Sequence, residues 1–200
     1  PLSFLINDED NTTPYGNRSL DIIVAPWPWV KLGTGKFRDD YLCSMFNGGN
    51  PEIEVTIHEH KSKKGIYMIE EMYGWPFLTE FFKGSQEEIE SQVKLTYTPV
   101  NITIDCSDPT KVVMPRQFTG IIDGDPAYGN YEIAMSTGGE GTLVNGVITF
   151  PQEALAFVCG AGSLKANKSG LFRILLPGAE LTDYTLSAVY DGMKVSADGE

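Results

Sequence analysis

Apolar and polar side chains alternate over short stretches of this chain, and glycine or proline interrupts most of them. The clearest case is Ile53–His58, in which isoleucine or valine occupies every second position. A period of two places these side chains on one face of an extended strand. The polar run His60–Gly65 separates this strand from a second apolar run, Ile66–Ile69. The pattern therefore predicts a β-hairpin.

A second hairpin is predicted in the other half of the chain. Gly141–Val144 and Val147–Phe150 flank the pair Asn145-Gly146, which tolerates the positive φ angles of a type I′ turn. The same kind of apolar run predicts seven further strands, namely Leu20–Ala25, Val100–Asp105, Tyr131–Ser136, Ala154–Val158, Leu171–Leu176, Tyr184–Tyr190 and Met193–Ser196.

Helix is predicted only twice, over Phe37–Phe46 and over Gln86–Gln92, where Ser85 is a suitable N-cap. Many short strands with little helix indicate an all-β fold, which we expect to form two small β-sandwich-like domains with Greek-key or meander strands. An aromatic, charged segment gives way to a glycine-rich strand series near residue 98. We therefore expect an N-terminal β domain over residues 1–98 and a C-terminal one over residues 99–200, with a single large domain as the alternative.

The charge balance narrows the class of partner. Fifteen Lys and Arg against 27 Asp and Glu give a net charge of −12, which repels nucleic acid and anionic lipid surfaces. A hydrophobic content of 42% is enough for a sizeable core. The chain begins at Pro1 and has no apolar run long enough for a signal peptide or a membrane span. We expect a segment upstream of Pro1 to have been removed.

Three cysteines, Cys43, Cys106 and Cys159, are widely separated and odd in number. They form no C-x-x-C pair and no dense disulfide framework. Small buried thiols are the favoured interpretation. One disulfide with one remaining thiol is the alternative.

Several segments of the chain share a pattern and an order with a group of bacterial proteins. The segments are Trp29–Asp40, Gly65–Tyr67, Met72–Gly74, Ile104–Pro109, Gly146–Pro151 and Gly170–Gly178. In these the chain resembles exported, lipid-anchored all-β proteins of Bacteroidetes-type gut and oral bacteria, most of which have no assigned function. The resemblance implies a periplasmic or outer-membrane-surface location, a lipid anchor upstream of Pro1, and residues 1–11 as the tail of a preceding domain.

The sequence offers few groups for catalysis or metal binding. His58 and His60 would share a strand face about 7 Å apart, with Glu54 on the same face. Two histidines without a convergent third ligand seldom bind a metal, so an exposed hairpin end is the favoured interpretation. No G-x-S-x-G elbow is present, and no cofactor is expected. Paired carboxylates of a glycoside-active enzyme remain an open alternative, because their spacing is set by the fold.

Carboxylates also occur in two turn-like segments, Asp105–Pro109 and Asp123–Pro126. Such residues either bind a cation or accept hydrogen bonds from the turn backbone. The second interpretation is favoured, since neither segment fits a calcium-binding loop.

Aromatic residues near prolines are the best candidates for ligand binding. The run Pro26–Trp29 places Trp27 and Trp29 on one side of an extended segment, and a second cluster contains Tyr73 and Trp75. The prolines favour loops or edge strands. Exposed indoles stack on sugar rings or protein ligands, whereas the alternative is that these rings fill a core.

We therefore predict a non-catalytic cell-envelope protein that binds a polysaccharide or another envelope protein and captures glycans as an accessory of polysaccharide uptake. Its membrane contact would be only the inferred lipid anchor. The alternative function is a structural or adhesive surface module that associates through a sheet edge.

Overall fold

The computed structural model describes residues 27–181. These residues contain two short α-helices, α1 (Trp75–Phe82) and α2 (Gln86–Glu88), the second of which continues into a π-helical turn over Ile89–Val93. The strands are β1 (Trp29–Arg38), β2 (Glu52–His60), β3 (Ile66–Glu70), β4 (Leu95–Tyr97), β5 (Asn101–Asp105), β6 (Gln117–Asp123), β7 (Asn130–Met135), β8 (Thr142–Val144), β9 (Val147–Thr149), β10 (Leu155–Cys159), β11 (Gly162–Ala166) and β12 (Arg173–Leu175).

The strands form two antiparallel sheets. The larger sheet has the order β5-β3-β2-β1-β12-β9-β8 and is curled into a half-barrel. The smaller sheet has the order β11-β10-β7-β6-β4. The all-β character predicted from the sequence is therefore confirmed, although the arrangement as two β-sandwich domains is not.

Both predicted hairpins are present. β2 pairs with β3 through His58 and Met68, and β8 pairs with β9 through Val144 and Val147. The turn residues of the second hairpin, Asn145 and Gly146, have φ angles of 50° and 77°, as a type I′ turn requires. Predicted strands over residues 100–105, 131–136, 154–158 and 171–176 correspond to β5, β7, β10 and β12. Those over residues 20–25, 184–190 and 193–196 lie outside the described residues.

One hydrophobic cluster draws on both halves of the chain. Phe37 in β1 is fully buried and packs against Phe77 of α1 and Phe172 next to β12, with ring centroids 5.5 Å apart in each pair. β1 also pairs directly with β12, where Phe37 lies opposite Ile174. The seven-stranded sheet therefore combines strands from both sides of the boundary expected near residue 98.

The helix predicted over Phe37–Phe46 is wrong. Phe37 belongs to β1, and the residues that follow form a hydrogen-bonded turn. The Asp39 carboxylate accepts hydrogen bonds from the backbone N–H groups of Tyr41 and Leu42 at 2.7 Å each. Aspartate side chains that bind nearby backbone in this way compete with a regular helix.

The predicted helix over Gln86–Gln92 is confirmed in its start and its cap. The Ser85 hydroxyl accepts a hydrogen bond from the Glu88 N–H, and the Glu88 carboxylate accepts one from the Ser85 N–H. This reciprocal pair is a capping box.

Five elements were not predicted, namely α1, β1, β4, β6 and β11. α1 begins at Trp75, within a segment expected to be a loop or an edge strand, because Pro76 in the first helical turn needs no hydrogen-bond partner for its nitrogen. The alternation in β1 is obscured by a bulge between Lys31 and Gly33, which moves the later residues to the opposite face. No helix in residues 27–181 is long and apolar enough to cross a membrane.

Replacement of Gly146 by alanine is expected to destabilise the protein by about 1 to 2 kcal/mol, the cost of a left-handed conformation for a residue with a Cβ atom. The added Cβ would also lie 2.8 Å from the Cβ of Ala179. Urea unfolding compared with the wild type measures this cost. Gly138→Ala is a useful second variant, because its φ of 74° is similar and nothing lies within 4 Å of an added Cβ. Equal stability of Gly146→Ala and the wild type would contradict the expected strain.

Candidate ligand-binding site

The indoles of Trp27 and Trp29 lie at the start of β1. Trp27 precedes the strand and is 57% exposed, whereas Trp29 is half-buried. Trp29 lies opposite His60 of β2 and contacts the imidazole edge-on, with ring centroids 5.2 Å apart. These two residues therefore remain available in part to a ligand on the surface of the larger sheet.

The other two predicted aromatic residues lie elsewhere. Tyr73 is fully buried, and its hydroxyl donates a hydrogen bond to Asp39 Oδ1 at 3.2 Å. Trp75 is half-buried at the start of α1 and packs edge-on against Tyr97, with centroids 6.3 Å apart. The four rings do not form one platform, and Tyr73 presents no face to solvent.

The two histidines are engaged by neighbouring groups. His58 is buried, and its Nε2 lies 2.5 Å from Glu70 Oε1, while its Nδ1 has no hydrogen-bond partner among the described residues. His60 Nδ1 accepts hydrogen bonds from the N–H groups of Ser62 and Lys63 at 3.2 and 3.1 Å. Within residues 27–181, no group of three His, Cys, Asp or Glu side chains is arranged to hold a metal ion.

The turn carboxylates accept hydrogen bonds from the backbone. Asp105 Oδ1 accepts from the N–H of Ser107 at 2.9 Å, and Asp125 Oδ1 accepts from the N–H of Ala127 at the same distance. The favoured interpretation of these two segments is therefore confirmed.

A pocket of about 550 Å³ lies on the inner side of the five-stranded sheet, beside β11. Its wall is mostly aromatic and apolar. It is lined by Met45, Phe46, Asp123, Tyr128, Tyr131, Phe157, Cys159, Ala161, Gly162, Ser163 and Leu164. We call this the aromatic pocket.

One wall of the aromatic pocket comes from the turn that follows β1. The Tyr41 hydroxyl donates a hydrogen bond to the carbonyl oxygen of Glu132 in β7 at 2.5 Å, which attaches the turn to the smaller sheet. Farther along the turn, the Phe46 ring packs against Tyr131 and Phe157, with centroids 5.8 and 6.3 Å away. The turn thus joins the two sheets and positions Phe46 over the pocket.

Asp39 holds this turn in place. Besides the N–H groups of Tyr41 and Leu42, its carboxylate accepts the hydroxyl of Tyr73, so three donors converge on one buried side chain. Burial, which outweighs these hydrogen bonds, raises the pKa of Asp39 to about 7. The turn that carries Phe46 is therefore held by hydrogen bonds to a buried carboxyl group whose pKa is raised.

The principal polar groups of the aromatic pocket are Tyr131 and Asp123, which hydrogen-bond to each other through the phenol and the carboxylate. Burial, together with the hydrogen bond to Asp123, raises the pKa of Tyr131 well above its usual range. Tyr131 therefore stays a neutral donor. Asp123 also accepts the N–H of Asp125 at 2.8 Å. Tyr128, 44% exposed, contributes a ring to the pocket lining.

All three cysteines are free thiols. Burial raises the pKa of both Cys43 and Cys106 to about 12, so these two remain protonated at neutral pH. Cys159 is half-buried and lines the aromatic pocket. The disulfide left open by the sequence is absent among these residues.

The aromatic pocket combines apolar rings with one carboxylate and one phenol. Asp123 is the only carboxylate among the described residues that line the pocket, and neither histidine lies there. From the sequence, Asp123 was placed only in a turn and Cys159 only among the buried thiols, and the other lining residues carried no signal of a site. The alternation of β7 places Tyr131 on its buried face, and Phe157 belongs to the continuous apolar run of β10, but their convergence with Phe46 depends on the fold.

The chain was also compared with known proteins. Neither models of protein families nor curated proteins nor solved structures gave a match.

Proposed function

We propose that this chain is a non-catalytic binding protein of the cell envelope that captures a glycan, and that the aromatic pocket receives a sugar unit. The observation that carries the proposal is a wall of aromatic rings beside the hydrogen-bonded Asp123 and Tyr131. A sugar ring has apolar C–H faces and a rim of hydroxyls, so it needs both kinds of contact. The envelope location rests on the resemblance to exported bacterial proteins.

The dimensions and groups of the pocket support this ligand class. Its volume of about 550 Å³ lies within the range of small-molecule sites, about 300 to 1,000 Å³. The ring of Tyr128 is exposed enough to stack on a sugar face. Asp123 accepts one hydrogen bond through each oxygen from the protein, and each oxygen has a further lone pair for a sugar hydroxyl.

The number of carboxylates in the aromatic pocket supports binding of a glycan without its hydrolysis. Glycoside hydrolysis commonly needs two carboxyl groups about 5 to 10 Å apart, and Asp123 has no carboxylate companion among the described lining residues. Thiol catalysis by Cys159 would need a base, and both imidazoles lie on the other sheet. The glycoside-active enzyme is therefore the less favoured proposal.

Isothermal titration calorimetry with neutral oligosaccharides of glucose, xylose, mannose and galactose tests the proposal. We expect saturable binding to at least one of them. Tyr128→Ala should weaken it by about three- to tenfold through loss of stacking. Asp123→Asn should weaken it by roughly ten- to 100-fold through loss of a charge-assisted hydrogen bond.

Trp27→Ala is the matched control, because Trp27 is an exposed ring outside the aromatic pocket. Its affinity for neutral sugars should equal that of the wild type. A flat titration with every oligosaccharide at millimolar concentration, or a loss of binding in Trp27→Ala alone, would remove the pocket as the capture site.

A second candidate function is association through a sheet edge. In the described chain β11 pairs only with β10, and Leu164 in β11 is 62% exposed. An edge strand of this kind can accept a partner strand. Sedimentation velocity at increasing concentration separates the two functions, because an assembly module would associate and Leu164→Lys would prevent it, whereas a capture protein would stay monomeric.

A further inference from the structure

Four exposed lysines lie together at one end of the larger sheet. Trp27–Lys31, at the start of β1, and His60–Lys64, at the end of β2, lie side by side. We call these two segments the basic hairpin end. Four of the chain's 15 basic residues occur here, namely Lys31, Lys61, Lys63 and Lys64. All four are exposed, although the chain as a whole carries a net charge of −12.

The backbone of the basic hairpin end is held by specific contacts. The N–H of Lys61 donates to the carbonyl oxygen of Pro28 at 2.8 Å, which joins the two segments. His60 Nδ1 accepts the N–H groups of Ser62 and Lys63. These bonds leave Nε2 as the protonated nitrogen of the neutral imidazole. The backbone that carries Lys61 and Lys63 is therefore ordered without a bound ligand.

The Glu59 carboxylate contacts the end of the turn between β2 and β3. Its Oε1 accepts the N–H of Gly65 at 3.1 Å, and its Oε2 lies 2.8 Å from Lys64 Nζ. Among the described residues, Glu59 is the only carboxylate that forms an ion pair with a lysine of the basic hairpin end. None of Lys31, Lys61 and Lys63 has a carboxylate within 4.0 Å in the part of the chain that the structure describes. Three cations thus remain available for an anionic ligand.

An aromatic ring accompanies these cations. Trp27 is exposed, and Trp29 leans edge-on against His60. Pro28 between them fixes the local backbone and limits the entropy lost when a ligand stacks. Aromatic rings next to cations on an ordered surface suit a polymeric ligand that carries both flat apolar faces and negatively charged groups.

We infer that the basic hairpin end binds an acidic polysaccharide. The lysines would contact the carboxylate or sulfate groups of the polysaccharide, and one of its sugar rings would stack on Trp27. This is a second binding surface, separate from the aromatic pocket, and it stands whether or not the pocket binds neutral sugars. A long nucleic acid would meet the strongly negative remainder of the molecule. A flexible polysaccharide can touch the basic hairpin end alone.

The experiment uses biolayer interferometry with immobilised polygalacturonate and dextran sulfate, and neutral dextran as the reference. The wild-type chain should bind at least one acidic polymer and not dextran. Its binding should weaken steeply as NaCl is raised from 50 to 300 mM, because exposed charges are screened. Lys61→Gln/Lys63→Gln should reduce the affinity roughly tenfold or more through loss of two charged contacts.

Lys111→Gln/Lys168→Gln is the matched control. It removes the same two charges from exposed positions outside the basic hairpin end, so its affinity should stay within about twofold of the wild type. Trp27→Ala should weaken binding by about three- to tenfold without changing the salt dependence. Asp123→Asn, which affects the aromatic pocket, should bind the acidic polymers as the wild type does.

Three results would overturn the inference. They are equal weakening by the two double variants, absence of binding to both acidic polymers at 50 mM NaCl, and tighter binding to single-stranded DNA or to phosphatidylserine vesicles than to either polymer. Equal weakening by the two double variants would mean that binding depends only on the net charge of the protein. Tighter binding to DNA or to the vesicles would assign this surface to another polyanion.

Discussion

Replacing Phe37 by alanine is expected to lower the free energy of unfolding by about 3 to 5 kcal/mol. The side chain is fully buried in β1, and its ring contacts Tyr73 and Phe77 near the start of α1 and Phe172 next to β12, so three parts of the chain meet here. Truncation would leave a cavity at the point where these parts meet. The cost arises both from the lost apolar contacts and from that cavity.

Urea unfolding followed by tryptophan fluorescence and by far-ultraviolet circular dichroism measures this effect. Thr34→Ala, at an exposed position of the same strand, is the control and should change stability by less than about 0.5 kcal/mol. Since the cluster around Phe37 includes residues from both halves of the chain, we expect a single transition with both probes. Two separate transitions, of which Phe37→Ala shifts only one, would instead support two independent domains.

The second large effect concerns pH and Asp39. Burial raises the pKa of this carboxyl from its ordinary 3.8 to about 7. The folded chain therefore binds the proton more tightly than the unfolded chain does. The resulting stabilisation is complete below pH 3.8 and is lost as the pH rises through about 7. From pH 5 to pH 8, this group should lower the free energy of unfolding by about 2 to 3 kcal/mol.

Asp39→Asn isolates this contribution, because the amide has nearly the same size and no charge at any pH. The stability advantage of the wild type over Asp39→Asn should shrink by about 2 to 3 kcal/mol between pH 5 and pH 8. Glu52 acts in the opposite direction, since the hydrogen bond from Arg173 lowers its pKa, but it is present in both proteins and cancels. Urea unfolding at four pH values gives the two curves, and parallel curves would contradict a raised pKa at Asp39.

Local signals in the sequence were sufficient for part of the fold. Asn145-Gly146 specifies its own turn through backbone geometry, and Ser85 with Glu88 specifies the start of α2 through a reciprocal cap. The strand β2 was identified because one face is buried and the other is polar. For the turn and the cap, the determining contacts lie within a few residues of one another, whereas for β2 the signal is the local alternation of apolar and polar side chains.

Other features depend on distant contacts. The segment after β1 has apolar spacing that resembles a helix, yet Asp39 directs its backbone N–H groups into a turn, and Tyr41 bonds to Glu132 far along the chain. Tyr73 resembled an exposed binding residue because of its neighbours Gly74 and Trp75. Its burial follows only once α1 packs beneath the larger sheet. The aromatic pocket was not predicted for the same reason, since Phe46 and Phe157 meet only in the assembled fold.

The pairing of β1 with β12 also has a consequence for the order of folding. Lys36 lies opposite Leu175, so the centre of the larger sheet joins residues near the two ends of the described chain. Non-local pairing of this kind slows folding, because the chain must lose the entropy of a long loop before the contact contributes any energy. During synthesis, one edge of β1 must wait for β12, the last strand in the described residues. We therefore expect refolding to be slow and to benefit from a factor that shields this edge until β12 is available.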